Sequence, residues 1–213
     1  MRGSSYDIPE GVPNEHHSPA FRAFFRHWFV DSGALARGDV DLGFLDGLTP
    51  EEVDLARDLL RRNLGRKRTH IIEGLAALHD LGSVGMLREM MNGEADLGRQ
   101  LTISGTLWKL VKDPIFVECL RRMKASRNAN LKMAHLKQVL WLNDERSIDF
   151  LMDFLDDADK FVRQQALTAL NELEFERRFF GPAHQLPSQA DDFRARRTDE
   201  VFRARMSAKL RAL

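Results

Sequence analysis

Apolar residues recur along most of the chain three and four positions apart rather than two, so the pattern predicts helices almost throughout and no strand. The first clear start is SPAFRAFFRHWFV, where Ser18 can cap and Pro19 can take the first helical position. Phe21, Phe24, Phe25, Trp28 and Phe29 then fall on one side. A second start, LTPEEVDLARDLL, has Thr49 and Glu52 at capping-box spacing, and Val53, Ala56, Leu59 and Leu60 make one face. Residues 1–17 carry two prolines and two glycines with little periodicity and read as a flexible leader. Residues 175–213 read as a Gly/Pro loop and a final helix from about Gln189 onward, with arginines on one face. The folded body is then 18–174.

Within that body the stretch LDDADKFVRQQALTALNELE, residues 155–174, repeats. Slid back by 31 to 33 residues, Leu170 meets Val139, Trp108 and Leu75, and Leu173 meets Leu142, Val111 and Leu78. The helix before it keeps the same register. Leu151, Leu120 and Leu87 form one column, Ile148, Val117 and Val84 another, and Phe154, Met123 and Met90 a third. Asp144, Asp113 and Asp80 recur in the turn between successive units. Helix pairs are thereby predicted near 49–79, 84–111, 115–142 and 146–173.

A helix pair of this size cannot bury its apolar stripe alone, and stacking neighbours into one core gives an α-solenoid. In the last unit Asp156, Asp157, Val162, Arg163, Ala166, Ala169 and Leu170 resemble a HEAT-like repeat. Earlier units depart from it: Lys132 replaces the arginine, and Ser104 and Gly105 weaken the middle second helix. The resemblance covers residues 48–174 as three complete pairs and a degenerate first one. It implies an all-α, right-handed solenoid with an N-terminal aromatic capping helix and a C-terminal helix, but a fold does not fix a function.

Composition narrows the classes. At 213 residues and 43% hydrophobic content the chain is long enough for a real core, and its formal net charge of zero removes the usual reason to expect a polyanion partner. A single cysteine, Cys119, forms no intrachain disulfide and no thiolate metal site. No apolar run approaches a membrane span, and the start lacks the apolar core of a signal peptide, so the expected compartment is the cytoplasm. His16 and His17 lie in the leader, His70 and His79 flank one helix, and His135 shares a column with Ile71, Ser104 and Ala166. None has metalloprotease spacing, and Cys119 reads as helix packing. Neither a metal nor a cofactor nor a catalytic residue is expected.

Solenoids of this type present an inner face formed by successive second helices. With positions 72, 75 and 78 toward the core, the flanking columns are Glu73, Thr106, Lys137 and Thr168, and beside them Ala77, Leu110, Trp141 and Glu172. Trp141 beside Lys137 has the composition of a binding hot spot, although a tryptophan there also serves as packing. A second surface is acidic: Asp31, Asp39, Asp41, Asp46, Glu51, Glu52, Asp54 and Asp58 form a field that can steer a basic partner, with Asp54 and Asp58 the expected contacts.

These features point to a non-catalytic module whose partner is another protein, with neither nucleic acid nor membrane expected. The degenerate HEAT-like units and the LTPEE-led first helix loosely resemble bacterial HEAT-like immunity proteins, which implies a toxin domain as partner and occlusion as mechanism. A general scaffold or adaptor is the near neighbour of that reading, and a chromophore-lyase-like role, resembling bacterial HEAT-like proteins of bilin metabolism, is a separate one. A resemblance to HEAT-like alkylpurine DNA glycosylases implies Trp108, Trp141 and Asp113 as site residues, but such an enzyme needs a cationic groove for phosphates.

Overall fold

The computed structural model describes residues 6–31, 41–66 and 68–180, with the backbone alone for Glu145 and residues 171–180. Among them every regular element is helical. The longer helices are α1 (Pro19–Phe25), α2 (Pro50–Asn63), α3 (Thr69–Ala77), α4 (Val84–Asn92), α5 (Leu97–Val111), α6 (Ile115–Ala125), α7 (Ala129–His135), α8 (Glu145–Phe154) and α9 (Lys160–Phe180). A π-helical turn, Arg26–Val30, continues α1, and a 3-10 helix, Leu136–Leu142, continues α7. No described helix is long and apolar enough to cross a membrane. Residue Asp39 of the acidic stretch and the final helix expected from Gln189 lie outside the described residues.

The chain forms two compact units, Met1–Phe116 and Val117–Leu213, a division that the repeat register does not mark. In the first unit α3 packs against α2 and α5, and α4 against α5. The five aromatics of the α1 segment are all buried, with Phe24 against Trp28 at 5.2 Å and edge-on to Phe29 at 5.8 Å between ring centroids. They join Leu59, Leu60, Ile71, Ile72, Leu75, Leu87 and Ile103 in one core. With those rings inside, they make no aromatic face for a membrane surface. In the second unit α8 and α9 pack on each other and on the 3-10 helix, around Leu120, Met123, Val139, Leu151, Phe154, Val162 and Ala166.

Two helix starts in the first unit share one carboxylate. Ser18 caps α1 by accepting from Phe21 N at 3.0 Å, and Thr49 and Glu52 form the capping box of α2. Glu52 also accepts from Ser18 N at 2.6 Å and Ser18 Oγ at 2.8 Å. Burial alone would raise this carboxyl, but the donors from Ser18 and Thr49 outweigh it and hold it below the usual range. The distal half of the expected leader is not loose. Asp7 N donates to Asn63 Oδ1 at 2.7 Å while Asn63 Nδ2 donates to Asp7 O at 2.9 Å, and Tyr6, Ile8 and Val12 pack on the core.

The repeat has a backbone counterpart. His79, Lys112 and Asn143, each immediately before the recurring aspartate, adopt left-handed conformation with φ of 49, 55 and 52°. Such a residue ends a helix by turning its last carbonyls back to new donors; Lys112 N, for instance, donates to Trp108 O at 3.0 Å. The columns follow in part, with Val84, Met90 and His135 only half-buried. Leu87, Leu120 and Leu151 are wholly buried, as are Ile71, Ser104 and Ala166, whereas Val111, expected beside Leu78 and Leu142 in the core, is 41% exposed. In the last unit α9 runs past position 173 to Phe180 rather than stopping in a fourth such turn.

Candidate functional site

The expected inner face divides between the units. In the first, Glu73 is half-buried on α3, and Leu110 is half-buried on α5. Thr106 is enclosed, its hydroxyl donating to Ile72 O at 3.4 Å, so it ties α5 to α3 and offers no surface. The residue that meets Glu73 electrostatically is Lys109, one turn of α5 from Thr106. Burial raises the Glu73 carboxyl above its ordinary range against the pull of Lys109. Much of the Lys109 side chain reaches solvent, yet loss of hydration lowers its ammonium against the pull of Glu73. Charges already partly dehydrated cost less to cover with a partner than fully hydrated ones.

In the second unit Lys137 and Thr168 are exposed and Trp141 is half-buried; Glu172 lies on α9, but its side chain is outside the described residues. Thr168 Oγ1 donates to Gln164 O at 3.1 Å on its own helix. Lys137 and Trp141 are not neighbours one α-turn apart, because residues 136–142 form a 3-10 helix. At three residues per turn the two positions diverge by about 120° around the axis, where an α-helix would separate them by about 40°. Trp141 instead shares its side with Gln138 and His135, and Leu136, Val139 and Leu142 form the buried side. A 3-10 run of seven residues is unusually long. The hydropathy pattern carries no signal for it, since both helix types place 136, 139 and 142 inward.

The acidic field is locally neutralised where it was expected to act. Asp54 pairs with Arg57 at 2.9 Å and Asp58 with Arg62 at 2.6 Å, each on its own helix. Arg57 also donates to Leu78 O through Nε at 3.1 Å and Nη2 at 2.7 Å, and Arg61 pairs with the buried Asp80. These arginines tie α2 to the turn after α3. Of the glycosylase-type residues, Trp108 packs on Phe116 at 6.1 Å, and Asp113 is held by Arg88 while accepting from Ile115 N at 3.2 Å.

No family model, curated protein or solved structure matches the chain. Among the described residues no three His, Cys, Asp or Glu side chains stand close enough to hold a metal ion. His70 lies against Trp28, rings edge to face at 5.8 Å, and burial, aided by Arg68, lowers its imidazole to about 4. Cys119 is buried in α6.

Sequence reasoning missed a groove in the second unit. It holds about 540 Å³ between α6, which contributes Val117, Arg121, Lys124 and Ala125, and α8, which contributes Arg146, Asp149, Phe150 and Asp153. Lys124 Nζ and Asp153 Oδ2 meet across it at 2.5 Å. The groove belongs to the first helices of the pairs, whereas the repeat register directed attention to the second helices. The stripe 146, 149, 150, 153 flanking the buried 147, 148, 151 was the available signal.

Proposed function

We propose that the helix pairs are HEAT-like units stacked as an α-solenoid and that the chain is a non-catalytic protein-binding module. Its specific form is an immunity protein that binds a cognate toxin and occludes it; the general scaffold or adaptor is the alternative. The observation that carries this reading is the left-handed residue and aspartate that close three successive pairs at His79, Lys112 and Asn143, because an array of like pairs builds extended surfaces for partners. The half-buried Trp141, the exposed Lys137 and the partly dehydrated Glu73 and Lys109 support it as surface that a partner can cover.

Co-expression of the full chain with the product of the gene immediately upstream tests the proposal. A stoichiometric complex together with protection of the host from that product supports immunity. A complex with a harmless product supports the scaffold instead. Failure to form any complex, or base release from alkylated DNA that depends on Asp113, overturns both. Within a complex, Trp141→Ala costs about 2 kcal/mol of affinity with an unchanged melting temperature, and Lys137→Glu weakens it less. A Trp141→Ala protein that unfolds without a separable binding defect makes that ring packing alone.

A further inference from the structure

We propose that the groove between α6 and α8 is a docking site for a helical segment of a partner protein that carries an apolar anchor between an acidic and a basic residue. The inference rests on the protein-binding reading and locates one surface for it. It starts from two arginines in equivalent positions. Arg88 follows Leu87 as Arg121 follows Leu120, one repeat later. Arg88 holds the turn aspartate of its own unit, with Nε at 3.0 Å and Nη2 at 2.9 Å from Asp113 Oδ2.

The next unit breaks that pattern. Its turn aspartate, Asp144, is taken by Arg146, which reaches it with Nε at 2.9 Å and Nη2 at 2.5 Å. Arg121 is thereby released from the turn and lines the groove. Its ion pair is with Glu118 at 3.3 Å on the same helix, both side chains more than half exposed. A pair of that kind is worth little and is readily exchanged. On the opposite wall Asp149 is exposed and makes no ion pair among the described residues.

The groove therefore offers one exchangeable positive charge on α6 and one negative charge on α8. Between them lie apolar surface from Val117, Ala125 and Phe150, and the Lys124–Asp153 bridge spans the walls. Complementarity requires a carboxylate toward Arg121, a cation toward Asp149 and an apolar side chain between them. A helix supplies such a triplet at intervals of three or four residues along one face. A nucleic acid would leave Asp149 without a counter-charge and set it against a phosphate.

A phage-displayed library of helical peptides, each about five turns long, panned against the full 213-residue chain, tests the site. Enriched peptides are expected to share an acid, an apolar anchor and a base at helical spacing, and to bind at least about tenfold more weakly to Arg121→Glu. Changing the peptide's acid to lysine restores binding to Arg121→Glu, and the mirror pair, Asp149→Lys with a base-to-acid peptide, gives a second reading should the first variant not fold. No enrichment overturns the proposal. So does enrichment of uniformly acidic peptides, binding indifferent to both charge reversals, or disulfide cross-linking of an Arg121→Cys variant to cysteines substituted within residues 181–213 of the same chain. If the co-expression complex survives both reversals, the groove fails while the protein-binding reading stands.

Discussion

In the N-terminal unit the buried polar groups are mostly answered from within: Glu52 serves two helix starts, Asn63 pins the segment at Asp7, and Asp80 takes Arg61. His70 Nε2 is the exception there. In the C-terminal unit Gln138 Oε1 and Ser147 Oγ are buried with no hydrogen-bond partner, the second helix of a pair tightens to 3-10, and a groove opens between α6 and α8. Each unanswered buried polar atom costs about 1–3 kcal/mol. The first unit is closed by its own aromatics and N-terminal residues, whereas the second keeps two unsatisfied buried atoms and the exposed charges of its groove.

The largest expected effect falls on a buried ion pair of the second unit. Lys132 and Asp157 meet at 2.5 Å with side chains only 9% and 11% exposed. Burial alone would raise the Asp157 carboxyl, but Lys132 and the Asp159 N–H hold it below its usual range. Lys132→Ala leaves that carboxylate buried with fewer partners and destabilises by about 3 kcal/mol in denaturant titration. A near-neutral result would mean that the second unit does not depend on this pair. Because the Asp157 pKa is depressed in the folded state, its contribution is present above the ordinary carboxyl pKa and is lost as pH falls through the folded value.

The first unit also loses stability in acid, but through a base kept neutral and in a higher pH window. The unfolded chain protonates His70 near 6.5, whereas the folded imidazole titrates at about 4. Between those values the unfolded state binds the extra proton, so stability is full above 6.5 and falls as pH drops toward 4. The loss across that window is on the order of 3 kcal/mol. Urea titrations of wild type and His70→Gln at successive pH values measure it. An equal slope in both proteins would mean that His70 does not carry the acid loss.

Packing gives a smaller contrast between two helical glycines. A Cβ on Gly74 would stand 2.5 Å from Trp28 Cζ3 and 3.0 Å from Leu60 Cδ1, whereas one on Gly85 meets nothing within 4 Å. Gly74→Ala therefore destabilises by about 1–3 kcal/mol despite alanine's helix propensity. Gly85→Ala stabilises by about 0.5–1 kcal/mol. Equal effects at the two sites would mean that α3 does not press against the Trp28 ring.

Much of this contrast was legible in the residues and some was not. The capping pairs Ser18 with Pro19 and Thr49 with Glu52 are local and short, so their chemistry survives into the fold unchanged. The first three helix pairs fall near the expected spans because one apolar periodicity drives each of them, while the last helix overruns to Phe180. The 3-10 tightening at 136–142 was invisible because the inward positions coincide in both helix types. The packing of Tyr6 and Ile8 was invisible because a short extended segment has no period to read. Arg121 looked like one more surface charge, since its release depends on which arginine reaches Asp144, and that is decided in three dimensions.

The proposed function depends on the helix pairs being copies of one unit, and the repeated left-handed residue tests that most directly. Glycine adopts this conformation without the steric cost that a Cβ imposes, whereas glycine inside a helix costs about 1 kcal/mol. His79→Gly, Lys112→Gly and Asn143→Gly, measured by equilibrium denaturation, should each be neutral or stabilising by up to about 1 kcal/mol. Asn143→Gly gains least because asparagine already tolerates the conformation, and Lys112→Gly gives back part of its gain with the ammonium that lies 5.2 Å from the centre of the Trp108 ring. Destabilisation by about 1 kcal/mol at all three, the signature of helix-interior positions, would contradict the repeated turn and the architecture built on it.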